Sequence, residues 1–399
     1  MDQQHAFEAF SREVDWIDIP IGEGEDQIPL KLRRLQGKHG SDRAVVILHG
    51  GNSSSDTFLL PGGGLAAFLR REGWDVWLLD WRGSPYVVEP ILERTRPLGG
   101  TELTEREIMS LDRAAAEDVP RALDHVRKAI GDAHLSLMGH CIAGGLVSMA
   151  VARRQIPESA RVTDIVLTTM SLFYEVPWDG WVKAEDFLLE RSLQASPGCR
   201  GINPRKPEEW PGPFDEAFKR WPATWRCFGK SGADELLSRL TFMVGKPWSP
   251  ARLAEGLHGP VLEPVFATMH MGIYIQSGQL VRRGFSAKYD APDVIDRTRL
   301  DAKGRGRSPA LLKGDLDPAP FMDKYVTLIS ASENRVWHRD SIDLMYEWLL
   351  AHAEPEDTKR FKKEVVLGYN LQELYWGKNA AMDSYPVIER SLRRSFAPE

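Results

Sequence analysis

The feature that most limits what this chain can fold into is a short run with no polar residue in it. Ala44-Val45-Val46-Ile47-Leu48 is continuously apolar and mostly β-branched, and it stops abruptly at His49-Gly50-Gly51-Asn52-Ser53-Ser54. A half-exposed strand alternates polar with apolar. An uninterrupted run bounded by glycines is a strand covered on both faces. Further strands are expected at residues 74–81, 135–138, 163–168, 325–330 and 363–367. Helical segments are expected at 65–72, 104–130 (interrupted near Pro120), 142–154, 341–352 and 380–394. Strand and helix in alternation predict an α/β fold with a mostly parallel central sheet and helices on both faces. Residues 14–21 and 28–35 flank a polar turn, Gly22-Glu23-Gly24-Glu25-Asp26, and read as a hairpin.

One stretch breaks the rhythm. Residues 171–260 hold six of the 13 tryptophans, ten of the 26 prolines and no clear alternating strand. Strand–helix alternation resumes afterwards, and the later strands need the earlier ones to complete one sheet. The expected organisation is a core from residues 1–170 and 261–399 with 171–260 inserted as a cap. A second independent domain is the other reading. The cap tryptophans fit either a large apolar pocket or the packing of a small cap core.

The most informative segment is Leu135-Ser136-Leu137-Met138-Gly139-His140-Cys141-Ile142-Ala143-Gly144-Gly145. It reads as strand, sharp turn, helix. The turn has the small-x-nucleophile-x-small form of a nucleophile elbow, with Cys141 where Ser is usual. A nucleophile in a strained turn crowds its neighbours, so Gly139 and Ala143 leave it room. The following helix aims its first N–H groups at Cys141, which favours a thiolate and a developing oxyanion. Ile142 N–H is one expected oxyanion donor. Gly51 N–H, in the glycine loop after the earlier strand, is the other. The competing reading of Cys141 is a small buried hydrophobe.

With these segments in place the chain resembles the α/β-hydrolase family over nearly its whole length. The likeness is strongest to the acid-lipase branch and to hydrolase domains found beside cholesterol-oxidase-like flavoproteins. Besides the elbow it rests on Trp77-Leu78-Leu79-Asp80-Trp81-Arg82-Gly83, on Gln276-Ser277-Gly278-Gln279 before Lys288-Tyr289-Asp290, and on Gly368-Tyr369-Asn370 followed by Trp376-Gly377-Lys378-Asn379-Ala380. At the elbow alone, a Cys nucleophile is also similar to polyhydroxyalkanoate synthases, dienelactone hydrolases and the aminoacyl shuttles of peptide-synthetase systems.

The resemblance implies an acid after the strand at 325–330 and a His near the C-terminal end. Alignment on the strand puts Asn334 at the acid position, with Glu333 beside it. The family's Tyr-Asn-His-Leu-Asp pattern becomes Tyr369-Asn370-Leu371-Gln372-Glu373, so Leu371 stands where the His is expected, and no histidine follows His352. An alcohol without a base is inert at neutral pH, whereas a thiol whose pKa is modestly depressed supplies thiolate unaided. Cys141 is therefore the nucleophile best suited to an incomplete triad. His338 is the candidate replacement base, or else a surface loop residue. His49 opens the oxyanion loop and is expected to brace it or contact substrate. His270 and His140 are further substrate-side candidates, with core packing as the alternative for each. His352 closes a helix.

Several classes are excluded. Hydrophobic residues at 42% and charged residues at 27% give ordinary globular composition, and a net charge of -6 with no long basic run argues against nucleic acid or an anionic membrane as partner. The start has no basic region or apolar core of a secretory signal, and no apolar stretch is long enough to span a bilayer. With three cysteines (Cys141, Cys199 and Cys227) and no disulfide framework, the expected location is cytoplasmic. No His/Cys pair has zinc spacing, and Gly62-Gly63-Gly64 lacks the context of a phosphate loop, so neither metal nor cofactor is expected. The expected activity is acyl transfer through a Cys141 thioester. Its substrate would be a small-molecule ester or thioester, the latter carried by coenzyme A or a carrier protein. A non-hydrolytic or catalytically lapsed member that binds or rearranges a ligand under the cap is the alternative.

Overall fold

The structure is a computed structural model that describes residues 14–37, 41–60, 62–185, 196, 198–221, 232–257, 259–262, 265–289 and 316–396. Eight strands form one sheet: β1 (Asp15–Asp18), β2 (Lys31–Leu35), β3 (Arg43–Leu48), β4 (Asp75–Asp80), β5 (His134–His140), β6 (Val162–Thr168), β9 (Tyr325–Ala331) and β10 (Phe361–Val366), in the order β1-β2-β4-β3-β5-β6-β9-β10. The short β7 (Gly201–Ile202) and β8 (Met269–His270) pair only with each other. β1 and β2 run antiparallel to each other, and β2 runs antiparallel to β4. Every other pairing in the large sheet is parallel.

The sheet is covered on both faces, as the apolar runs require. Along β3 the side chains alternate between two cores: Ala44, Val46 and Leu48 enter one, Val45 and Ile47 the other. Helices Val119–Ile130, Ile142–Ala152 and Asp340–His352 pack into the first core. Helices Gly64–Arg71 and Tyr385–Leu392 close the second. The expected helix over 104–130 is broken into Glu102–Ile108, a short turn, a five-residue π-helical segment and Val119–Ile130. Pro120 sits in the first turn of the last piece, where its missing N–H costs nothing. The terminal helix is likewise two pieces, Ala380–Asp383 and Tyr385–Leu392, with Pro386 opening the second.

Register decides where a site can form. Leu48 of β3 pairs with Gly139 of β5, Gly139 with Leu167 of β6, and Leu167 with Leu328 of β9. The carboxyl ends of four neighbouring strands therefore finish level, and the loops leaving them meet at one edge, the usual crevice of an open α/β sheet. Between β6 and β9 the described chain consists of helices, loops and the short β7 and β8, and adds no strand to the large sheet. Of its described tryptophans, Trp178 and Trp181 are exposed and the other three pack on aromatic neighbours. Trp210 and Trp221 gather around Phe242, and Trp248 packs on Phe266 and Trp376. Trp225 and Cys227 lie outside the described residues.

Candidate active site

Cys141 stands at the junction of β5 and helix Ile142–Ala152 with φ 56° and ψ -133°, a conformation L-residues rarely hold. The surroundings enforce it. Cys141 N–H donates to Thr168 O on β6 at 3.0 Å, and a Cβ on Gly139 would lie 2.4 Å from Ala143 O. Gly50 is needed for a different reason: its Cβ would fall 2.9 Å from that of Cys141. The loop after β3 therefore reaches the sulfur only because it carries no side chain there.

Three N–H groups act on the Cys141 sulfur. Trp337 Nε1–H donates to Sγ at 3.1 Å, and the backbone N–H groups of Ile142 and Gly51 also favour its anion. The two backbone amides are the pair expected from the elbow and the glycine loop. The expected depression of the thiol is corrected, however. Burial pushes the Cys141 pKa up, outweighing the opposing donors, so the resting side chain is the neutral thiol.

The glycine loop after β3 is held from behind by buried charge. Asp80 at the end of β4 accepts from Ser55 N at 3.0 Å, Ser55 Oγ at 2.5 Å and Ser84 Oγ at 2.7 Å. Asp56 takes Arg33 Nη1 at 2.5 Å and Tyr86 Oη at 2.7 Å. Arg33 Nε lies 3.5 Å from Asp80, so one buried guanidinium serves both carboxylates. His49 belongs to this bracing. Its Nδ1 lies 2.8 Å from Gly50 O, and its ring stacks on Trp81, whose Nε1–H donates to His49 O. His49 is fully buried and away from the cavity lining, so the substrate contact considered for it does not form.

The opposite side of the sulfur departs from expectation. His338 is 48% exposed, pairs with Asp340 at 3.2 Å and faces away from the cavity. Its neighbour Trp337 faces the sulfur instead, beside Val336, which lines the same cavity. Asn334, at the acid position, accepts with Oδ1 from Val336 N at 3.0 Å and Trp337 N at 3.1 Å. It shapes the loop that presents the indole and orients no base. Glu333 is pulled outward into an ion pair with Arg252 at 2.7 Å. Leu371 lines the cavity where the resemblance places a His.

The other two histidines are packing residues. His270 is fully buried. Its Nε2 meets Glu105 at 3.0 Å, and its Nδ1 accepts from Gly272 N to cap helix Met271–Arg283. Burial raises the Glu105 pKa, but hydrogen bonds from His270 and Arg200 overcome it and hold the carboxyl at about 2. His140 points into the sheet with Nδ1 at 3.0 Å from Thr168 Oγ1. Burial, helped by nearby His49, drives its pKa down to about 3, so it stays neutral.

Above Cys141 lies a cavity of about 130 Å³. Gly51, Cys141 and Ile142 line it together with Trp337 and Leu371, and with the helical layer from Val176 to Arg282. The covering layer thus continues beyond residue 260, since helix Met271–Arg283 supplies Tyr274, Ser277, Gly278, Val281 and Arg282 to the lining. Among the described residues, no His, Asp or Glu lines this space. Cys199 lies elsewhere, against Gly201 O. No cluster of three metal-binding side chains occurs among the described residues. No described helix is long and apolar enough to cross a membrane.

Most of the lining escaped sequence reasoning, Trp337 and Lys183 among it. Trp337 had a signal, an indole N–H donor in the segment that holds the acid position. Lys183 had none, because a lysine on a short polar helix ordinarily faces water.

Comparison with known proteins agrees with this architecture. The model of the alpha/beta hydrolase fold matches residues 43–194. No curated protein matches the chain. Among solved structures, a putative lipase from Sulfolobus solfataricus is 13% identical, with a TM-score of 0.54 over 96% of this chain and 93% of its own. A lipase in its open form is 11% identical, with a TM-score of 0.51 over 95% of this chain and 99% of its own. A complex of DcsB with its substrate analogue is 12% identical, with a TM-score of 0.50 over 96% of this chain and 98% of its own. Sheet order, elbow, oxyanion loop and these likenesses agree that the chain has the α/β-hydrolase fold, with the eight-stranded, mostly parallel sheet and helices on both faces described above.

Proposed function

We propose that the protein is an acyl-transfer enzyme acting on a small-molecule ester or thioester through a covalent Cys141 thioester. The observation that carries the reading is the convergence of three N–H donors on a strained, cavity-facing sulfur. Sγ adds to the acyl carbonyl, and the oxyanion is taken by Gly51 and Ile142 N–H. Collapse breaks the bond to the leaving group, which departs with the thiol proton. The acyl group stays on sulfur until an acceptor N–H, O–H or S–H takes it and returns a proton to Cys141. Lipases among the similar folds fit an ester-like substrate.

Among the described residues no imidazole or carboxylate lines the cavity, so water lacks the base this fold ordinarily uses, and on this reading transfer to a better nucleophile outruns hydrolysis of the thioester. A thiolate leaving group, from coenzyme A or a carrier protein, needs least acid help and is the preferred donor. The neutral resting thiol favours a second reading, a ligand-binding protein that performs no acylation.

Intact-protein mass spectrometry after incubation with p-nitrophenyl esters and acyl thioesters decides between them. One acyl mass per chain is expected on the native protein and none on Cys141→Ala. A native chain that remains unmodified across the donor panel overturns the proposal.

A further inference from the structure

The cavity over Cys141 is mostly apolar, and the polar side chains along it are largely spent on the protein itself. Tyr274 Oη donates to Met243 O at 2.9 Å, Ser277 Oγ to Ile273 O at 2.6 Å, Lys183 Nζ to Thr241 O at 2.6 Å and Trp337 Nε1 to the sulfur. Gln372 is different. It lines the same cavity and is 2% exposed. Its backbone is pinned, since its N–H donates to Pro247 O at 2.9 Å and its carbonyl accepts from Tyr375 N at 3.0 Å. Its side-chain amide makes no hydrogen bond of ordinary length.

The groups behind the amide decide which end of it faces out. Tyr375 Oη stands 2.8 Å from Thr168 Oγ1, and Thr168 Oγ1 stands 3.0 Å from His140 Nδ1. Edge contacts from Phe58 and Tyr375 fix the His140 ring. The Gln372 side chain acts on that ring as an acceptor, so Oε1 is the atom that meets it. Oε1 and His140 Nε2 are both closed to solvent and have no other partner. Donation from Tyr375 O–H to Thr168, from Thr168 O–H to Nδ1 and from Nε2–H toward Oε1 uses every group of the neutral imidazole. With Oε1 turned inward, the amide NH2 is the polar end left to the cavity. A hydrogen bond made to it in an apolar space is stronger than the same bond in water.

We infer that Gln372 sets specificity: its amide NH2 holds a neutral carbonyl oxygen carried along an otherwise hydrocarbon acyl chain, and His140 is the positioning residue that keeps the amide turned. The inference rests on the acyl-transfer reading for the placing of the chain. The oxygen is a second one, away from the reacting carbonyl, because Gly51 and Ile142 N–H already take the oxygen of the carbonyl at Cys141. The apolar walls accept the rest of the chain.

The test compares p-nitrophenyl octanoate with its derivatives that carry one ketone at the fourth, fifth, sixth or seventh carbon. Rates of Cys141 acylation are read by mass spectrometry, and each is divided by the rate with free cysteine to remove intrinsic reactivity. On the native protein at least one ketone position is expected to gain about tenfold over octanoate, the size a buried hydrogen bond supports. The gain should fall to about twofold or less in Gln372→Glu, which keeps an oxygen for His140 and loses the NH2. A gain that persists in Gln372→Glu overturns the inference, because Gln372 would then only pack against His140. Equal rates across the series on the native protein also overturn it while leaving acyl transfer standing. If no donor acylates Cys141, protection of the thiol from iodoacetamide by cyclohexanone decides, each protein being scaled to its own unprotected rate. Protection of the native chain that is lost in Gln372→Glu supports the carbonyl site without the chemistry. Equal protection of both, or none of the native chain, overturns it.

Discussion

The two sides of Cys141 are built on different principles. On the β3–β4 side the oxyanion loop is held by fully buried ions: Arg33 between Asp56 and Asp80, with serine and tyrosine hydroxyls filling the remaining acceptor sites. On the β9–β10 side the residues near the sulfur are an indole and a leucine. Glu333, beside the acid position, pairs with Arg252 at the surface. On the proposed reading the first side meets charge developing on the substrate oxygen, while the described residues of the second bring no imidazole or carboxylate to the cavity. The contrast makes oxyanion stabilisation and proton transfer two separately testable parts of the proposal. A thiol nucleophile with a good leaving group can act with the first alone.

The largest expected effect comes from giving the second side its proton carrier. In Leu371→His combined with Asn334→Asp, an imidazole replaces a lining leucine and a carboxylate stands at the end of β9 to orient it. Once the thioester forms, the base activates water, and deacylation should accelerate about 10²-fold or more. The readout is steady-state release of p-nitrophenol against the single-turnover burst of the native protein. A burst still unaccompanied by turnover, in a variant with unchanged circular dichroism, would show that more than a base is missing.

The next effect tests the first side. Asp80→Asn leaves Arg33 with one carboxylate fewer in a site closed to water. A loss of about 3–5 kcal/mol is expected from breaking such a buried network. Glu333→Gln is the matching change on the other side, where a solvent-screened pair contributes little and only a small shift is expected. Urea midpoints measured side by side give the comparison. Equal shifts would mean the loop is not held by its charges.

What was legible in the sequence divides along the same line. The strand at 44–48 could be read because a fully covered strand leaves no polar residue in the run, and the one at 163–168 from its apolar centre, Ile165-Val166-Leu167. The elbow could be read because backbone geometry dictates residue size: Gly139, Gly50 and the positive φ at Cys141 are steric requirements, and sterics leave traces in sequence. The bracing role of His49 followed from its place at the head of the glycine loop. The far side left no such trace. His338 and Trp337 are neighbours in a loop, and which one faces the sulfur depends on how Asn334 ties the backbone, a fact of hydrogen bonding with no period. His270 reads as a substrate-side candidate or a core residue, and nothing local decides between them because its partner Glu105 is 165 positions earlier. The thiol pKa depends on the summed burial of Cys141 under a layer whose packing no local pattern describes.

The smallest expected effect isolates the indole. Trp337→Phe keeps a ring against the sulfur and removes the Nε1–H that donates to it. Burial already holds the thiol above its ordinary value, and the three donors pull it back. Removing one donor must raise the pKa further, so at any pH below it the thiolate fraction falls. A hydrogen bond worth about 1 kcal/mol corresponds to roughly a fivefold loss. Alkylation of Cys141 by iodoacetamide, followed from pH 7 upward, should therefore rise with pH in both proteins, with the inflection of the variant displaced to higher pH. If the indole mainly shields the sulfur, the variant will react faster at every pH with no displacement, and Trp337 would then be a steric cover. The fivefold loss with a displaced inflection assigns the indole a share in holding the anion, the task that Ile142 and Gly51 perform from the other side of the same atom.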